Sequence, residues 1–187
     1  MSPAQFTVAF VCTGNRFRSV LAEAVFREAT EGLPVDVSSF GTLDLGPADP
    51  LPGAVREARE LGLEVTAHVA RSLVQANLSD ASLVLGFELE HAVAAVEVAG
   101  ARLEHTFILP ELVLLLERIG VIHRPDPIEQ ANENLMRAQA DRNGEQRRTV
   151  KEIEDPISLP EAAQRAIAQA VYTSAETLAA QLFGRAR

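Results

Sequence analysis

The chain has 187 residues, 17 of them basic and 26 acidic, with a net charge of −9 and 47% hydrophobic side chains. That length and apolar content suffice for one self-supporting core, while the acidic balance argues against a nucleic-acid or anionic-membrane binder, which needs a basic face. A single cysteine, Cys12, excludes an intrachain disulfide framework, a cysteine-based zinc site and an iron–sulfur cluster.

A lone thiol suits a reducing compartment, and the N-terminal residues have neither a basic n-region nor a small-residue cleavage site, so a cytoplasmic location is expected. No apolar run approaches the length of a membrane span. Sixteen of the 17 basic residues are Arg, as expected of a GC-rich bacterial genome.

Residues 6–11 are apolar and bounded by Gly14, which predicts a buried strand. A helix is expected over 18–30. Leu21, Ala22, Val25 and Phe26 share its buried face, and Glu23 and Arg27 pair four residues apart on the other. Pro34 breaks the chain and residues 35–40 alternate as a second strand, so the first forty residues read as a βαβ unit with a right-handed crossover and parallel strands. After the turn-rich stretch 41–53, a helix is expected over 54–61, ended by Gly62. A strand over 83–87, a helix over 88–99 stopped by Gly100, a strand over 105–109 and a short apolar helix over 111–119 follow. Residues 120–151 carry six basic and five acidic side chains and read as a polar insertion or lid, with a helix over 128–141 and a turn at Asn143-Gly144. The last helix is expected over 159–183, opened by Ser158 and Glu161 as an S-x-x-E capping box. Alternating strands and helices predict an α/β layered sheet with ligands at the carboxyl ends of the strands. No repeat or second core interrupts residues 1–187, which read as one domain.

The string VCTGNRFRS, residues 11–19, carries the chemistry. Cys12 stands where the first strand ends, and Gly14 and Asn15 tolerate tight, left-handed backbone. Arg18 follows after five intervening residues and Ser19 comes next, at the start of a helix. A strand–helix loop of this length can curl so that successive backbone N–H groups form an anion nest, and the helix N-terminus adds partial positive charge. Arg18 closes the ring and can hold two oxygens of a tetrahedral dianion as a fork. The same field favours thiolate over thiol at Cys12, giving a nucleophile under a phosphate-sized cradle.

With C-x-G-N-x-x-R-S at Cys12, Gly14, Asn15, Arg18 and Ser19, and Asp155-Pro156 just before the last helix, the chain resembles the low-molecular-weight protein tyrosine phosphatase family over nearly its full length. The resemblance implies a three-layer α/β fold with a four-stranded parallel sheet flanked by helices. It implies that Cys12 takes the phosphoryl group, Arg18 binds its oxygens, Ser19 supports the thiolate and Asp155 is the general acid. Thr13, Gly14, Asn15, Arg16 and Phe17 complete the binding loop, with Leu43 on the pocket wall. No metal or cofactor is implied. The expected substrate is a phosphorylated protein or a small aryl phosphate, handled by a monomer or weak dimer.

Asp-Pro also occurs at Asp49-Pro50 and Asp126-Pro127, and Glu154 is a neighbouring carboxylate. Asp155 is preferred because it lies three residues before Ser158. Several positions depart from the family pattern. Phe17 stands where many relatives have a second cysteine, and Val20 replaces a common proline. Ile157, Leu43 and Leu45 stand where a ring would favour phosphotyrosine. His68, His91, His105 and His123 show no ligand spacing and read as surface or packing residues. No nucleotide-binding glycine motif is present. Two alternatives use the same cradle: an arsenate reductase that relies on an external small thiol, and a phosphate-binding regulatory module with little turnover.

Overall fold

A computed structural model describes residues 5–142 and 150–184. Four parallel strands form one sheet in the order β2-β1-β3-β4: β1 Phe6–Cys12, β2 Val35–Gly41, β3 Leu83–Gly86 and β4 Thr106–Ile108. The helices are α1 Arg18–Ala29, α2 Pro52–Glu60, α3 Leu89–Ala99, α4 Leu109–Ile119, α5 Pro127–Asp141 and α6 Glu161–Phe183. This is the expected layered fold, with element ends displaced by a residue or two.

The pleat of β1 sorts its side chains between two layers. Phe6, Val8, Phe10 and Cys12 enter the larger core with residues of α1, α2, α4, α5 and α6. Phe10 meets Phe26 edge-on with ring centroids 5.5 Å apart, and Phe6 meets Phe183 at 5.2 Å. Ala9 and Val11 point the other way, against Ala95 and Ala99 of α3 and Leu73 and Leu78 before β3. Small side chains on both sides let α3 lie close to the sheet. The chain steps from β1 out to β2 on one side and then back past β1 to β3 on the other, so the carboxyl ends of β1 and β3 flank the crevice where an open α/β sheet binds ligands. Among the described residues no helix is long and apolar enough to cross a membrane.

Two expectations need correction. The segment 120–151 is not a lid through its first half: α5 packs against α4 and α6, with Ala131, Leu135 and Ala138 buried in the core. Its polar residues are used internally. Asp126 caps the helix through the N–H groups of Ile128 and Glu129. Gln130 Nε2 donates to the Leu182 carbonyl, and the Asn134 side chain bonds both the N–H and the carbonyl of Ile122. Three of its basic side chains are committed too: Arg124 to Glu133, Arg137 to the carbonyls of Ile119 and Gly120, and Arg142 to buried Glu111 and the Phe107 ring. The expected turn at Asn143-Gly144, with Arg147 and Arg148, lies outside the described residues. The second correction is at α6, which starts at Glu161 behind Pro160 without a side-chain cap. Ser158 adopts a left-handed φ of 66° two residues upstream of the helix boundary, because Leu159-Pro160 intervenes.

The packing of α5 sets a stability test. Leu135→Ala should cost about 2–5 kcal/mol in urea unfolding, as for a core leucine. A loss under about 0.5 kcal/mol, typical of exposed positions, would return the helix to the role of a loosely held lid.

Candidate active site

β1 ends at Cys12 and α1 begins at Arg18 with Phe17 as its N-terminal boundary, no side-chain cap and no acidic residue in its first turn. The first N–H groups of the helix are therefore available to an anion. Asn15 takes the left-handed turn, at φ 52°, and Gly14 does not. Four contacts hold that conformation. Asn15 Nδ2 donates to Ser19 Oγ at 2.8 Å and Ser39 Oγ at 2.7 Å, Oδ1 accepts from the Arg71 N–H at 2.8 Å, and the carbonyl accepts from His68 Nε2 at 3.0 Å. Since Asn15 donates to Ser19 Oγ, the Ser19 proton is free to point at Cys12 Sγ, 3.0 Å away. The Asn15 backbone N–H reaches the same sulfur at 3.3 Å. Two donors thus converge on Sγ.

The network continues inward. Ser39 Oγ donates to Glu23, which is buried and also meets Arg71 at 3.1 Å and Arg27 at 2.6 Å. The Glu23–Arg27 pair forms as expected, but the carboxylate is on the inside. Burial pushes the His68 imidazole below its usual range, against the opposing pull of Glu23. The end of β2 holds the loop from the side: Thr42 N–H donates to the Cys12 carbonyl and Leu43 N–H to the Thr13 carbonyl, both at 2.9 Å. Gly41 permits this approach, since a Cβ there would stand 2.9 Å from the Gly14 carbonyl carbon.

Arg18 is 1% exposed, and four distinct acceptors take its terminal N–H groups. Nη1 donates to Glu88 Oε2 at 2.5 Å and the Ile153 carbonyl at 2.8 Å; Nη2 donates to Thr13 Oγ1 at 2.9 Å and Asp155 Oδ2 at 2.6 Å. A phosphoryl group that takes this edge of the guanidinium must displace a carboxylate from it. Thr13 Oγ1 has a second partner, the fully buried His91, at 3.1 Å. His91 Nδ1 accepts from the Glu88 N–H at 3.1 Å, which leaves Nε2 as the donor to Thr13. With both lone pairs filled, Thr13 keeps its own proton for a third acceptor. Burial, reinforced by the Arg18 charge and opposed by Asp155, lowers the His91 pKa to about 4.

The segment bearing Asp155 is tied to the start of α3. Glu152 Oε1 accepts from the Leu89 N–H at 2.7 Å, and the Ile153 N–H donates to the Phe87 carbonyl at 3.1 Å. Asp155 Oδ1 accepts from the Ile157 N–H at 2.9 Å.

Cys12, Thr13, Gly14, Asn15, Arg18, Ser19 and Asp155 therefore come together. Arg16 turns outward, its Nε on the Asp49 carbonyl at 2.7 Å. Phe17, expected among the binding residues, buries its ring in the core against the position of Gly53, so only its backbone faces the loop. Leu43 is exposed beside the loop, and Leu45 Cδ1 lies 3.5 Å from where a Gly14 Cβ would be. Asp126 is spent on the α5 cap, and Glu154 is exposed. Glu88, His91, Glu23 and Ser39 join the site without any local motif to mark them. Among the described residues Glu88, Glu90 and His91 form the one cluster with metal-ligand spacing. A cation there would compete with Arg18 for Glu88 and with Thr13 for His91.

The His91 geometry gives the first site prediction. An unfolded histidine takes up its proton near pH 6.5 and the folded one only near 4, so the unfolded state binds more protons in that window. Stability should fall as pH drops from 6.5 toward 4, and His91→Gln should remove part of that slope in urea midpoints. Equal slopes for the two proteins would contradict the assignment of Nδ1 as a bare acceptor.

The profile of the family described as low molecular weight phosphotyrosine protein phosphatase matches residues 7–141, a span that holds the cysteine loop and stops short of Asp155. A probable low molecular weight protein-tyrosine-phosphatase, EpsP of Ralstonia solanacearum, is 35% identical over 79 residues, 42% of this chain and 53% of that protein. The chain thus spans about half the length of the EpsP proteins it matches. A protein-arginine-phosphatase of Bacillus subtilis is 33% identical over 108 residues, 57% of this chain and 71% of its own. Among solved structures, the YwlE arginine phosphatase from Geobacillus stearothermophilus superposes with a TM-score of 0.69 at 24% identity, covering 95% of this chain and 92% of that one. The profile match over most of the sequence, on the fold and loop described above, shows that the chain belongs to the low-molecular-weight phosphotyrosine protein phosphatase family.

Proposed function

We propose that the chain is a cysteine-dependent phosphatase acting on phosphorylated proteins through a phosphocysteine intermediate. The observation that carries this reading is the convergence of the Ser19 hydroxyl and the Asn15 N–H on Cys12 Sγ, with Arg18 joining that loop to Asp155 at 2.6 Å. The thiolate attacks phosphorus in line, forming the S–P bond as the bond to the leaving group breaks. Loop N–H groups and Arg18 take the phosphoryl oxygens as charge shifts onto them. Those oxygens compete with Asp155 for Nη2, so substrate entry releases Asp155 from the guanidinium. Asp155, freed from the guanidinium, takes up a proton from solvent and gives it to the leaving atom as that bond breaks. In the second step its carboxylate takes a proton from water as that water attacks phosphorus, and the thiolate departs.

Phosphotyrosine is the substrate the family's description names. A second reading, phosphoarginine, is favoured by the residues around the loop. Leu43, Leu45 and Ile157 are exposed there with no aromatic ring among them, and Glu88 and Glu90 supply carboxylates suited to a guanidinium. The named activity of the Bacillus subtilis relative agrees with it. Hydrolysis of matched phosphotyrosyl and phosphoarginyl peptides decides between them by the ratio of kcat/KM.

Cys12→Ser should lower turnover by at least about three orders of magnitude and still bind inorganic phosphate, because the loop amides and Arg18 remain. Near-normal turnover in that variant would end the proposal. Activity confined to thiol-dependent arsenate reduction, with every phosphate ester inert, would move the site to the reductase alternative.

Asp155→Ala should slow single-turnover phosphorylation of Cys12 by about 10²–10⁴-fold with phenyl phosphate, whose leaving oxygen needs a proton. With nitrophenyl phosphate the loss should be less than about tenfold, since that leaving group departs as a stable anion. Parallel dependence on leaving-group pKa in wild type and variant would remove Asp155 from the role, and the same series on Glu154→Gln would test the neighbouring carboxylate.

A further inference from the structure

Helix α3 buries Ala92, Ala95 and Ala99 and turns a different strip outward. Leu89 and Val93 lie one turn apart on the outward surface and Val98 at its far margin; they are 41%, 43% and 52% exposed. Valine gains nothing from an exposed helical position, where it loses side-chain freedom without burying surface. Together with Ala94 these residues floor a shallow groove whose other lining residues are Glu88, Glu90, Glu97 and Glu152. Among the described residues every charged side chain lining it is a carboxylate.

The groove is continuous with the catalytic loop. Glu88 lines it and also contacts Arg18 Nη1 at 2.5 Å. Glu152 lines it, binds the first N–H of α3 and lies three residues before Asp155. From Leu89 to Val98 is nine residues, roughly 14 Å along a helix, the reach of about four residues of extended peptide. A segment adjoining a residue whose phosphoryl group sits at Cys12 can therefore follow α3.

Charge selects the occupant. A second copy of this chain seated face to face would bring two sets of four carboxylates together, and an anionic membrane would be repelled. A peptide that alternates Lys or Arg with apolar side chains satisfies both the rim and the floor. We propose that the α3 groove docks the substrate segment flanking the phosphorylated residue and selects basic and apolar side chains there. This rests on the phosphatase reading above and names the class of protein substrate.

The test uses nitrophenyl phosphate and two peptides in both phosphotyrosyl and phosphoarginyl forms. Within four positions on either side of the modified residue, one carries Lys and Leu and the other Glu and Ser. Wild type should favour the basic–apolar peptide by about tenfold in kcat/KM at low salt, with the preference shrinking as salt rises. Glu97→Lys should abolish or reverse the preference, and Val93→Ser should weaken it. Both variants should hydrolyse nitrophenyl phosphate within twofold of wild type, which shows that they are folded and active. Equal rates on the two peptides in wild type, or an unchanged preference in both variants, overturns the proposal. So does a dimer in sedimentation that Glu97→Lys or Val93→Ser dissolves, since the groove would then belong to a second copy. A wild type inactive on nitrophenyl phosphate and on every peptide defeats the phosphatase reading alone. Fluorescence anisotropy of the same peptides on wild type then decides the groove, which stands if the basic–apolar peptide binds about tenfold tighter and falls if the two bind equally.

Discussion

One buried cation organises the site. Arg18 lies in the first turn of α1, where its side chain can reach the loop behind it, the start of α3 and the segment that ends at Asp155. A guanidinium out of contact with water must have its donors satisfied, so these parts of the chain are obliged to meet around it. Its contacts to Glu88 and to the Ile153 carbonyl come from 70 and 135 residues away. The segment that bears Asp155 has no strand or helix of its own at that point. It is held by Arg18, by Glu152 on the N-terminus of α3 and by Ile153 in the core.

A second chain of contacts fixes the loop from below. The left-handed Asn15 would cost of order 1–3 kcal/mol if unsupported, and each of its polar groups is matched to a neighbour fixed by other elements. Ser39 belongs to β2 and passes the contact to Glu23 of α1, which Arg27 and Arg71 neutralise. The orientation of the Ser19 proton toward Cys12 is thus set by the Asn15 amide, which Ser39 and Glu23 hold in place from behind. Rigidity of this kind is what a cradle for a tetrahedral dianion requires, since preformed donors need no reorganisation as charge moves.

How much of this was legible in the sequence follows the range of each interaction. The strand, the Gly14-Asn15 turn and the C-x5-R-S spacing lie within fourteen consecutive residues, and local pattern was enough to place them. The Glu23–Arg27 spacing correctly announced a pair, but i,i+4 spacing is the same on either face of a helix and says nothing about depth. Glu88 and His91 matter only because β3 lies beside β1, a fact of topology with no local signature. The misreading of α5 has a different cause. Gln130 and Asn134 look solvent-facing in a polar window, yet each is buried because backbone groups at Leu182 and Ile122 meet its amide. At α6, the Ser158–Glu161 spacing promised a cap, and the fixed φ of Pro160 with the extended residue before it moved the helix start past the serine.

Glu88, the residue before α3, also belongs to the charge balance around Arg18. One guanidinium faces the side chains of both Glu88 and Asp155. On the proposed reading a phosphoryl dianion would enter by exchange, taking donors that those side chains give up, and would gain less than on filling an empty cationic pocket. Discrimination among phosphorylated substrates would then rest on what surrounds the phosphoryl group. The residues around the loop fit that requirement: apolar Leu43, Leu45 and Ile157, and the carboxylates of Glu88, Glu90 and Glu152.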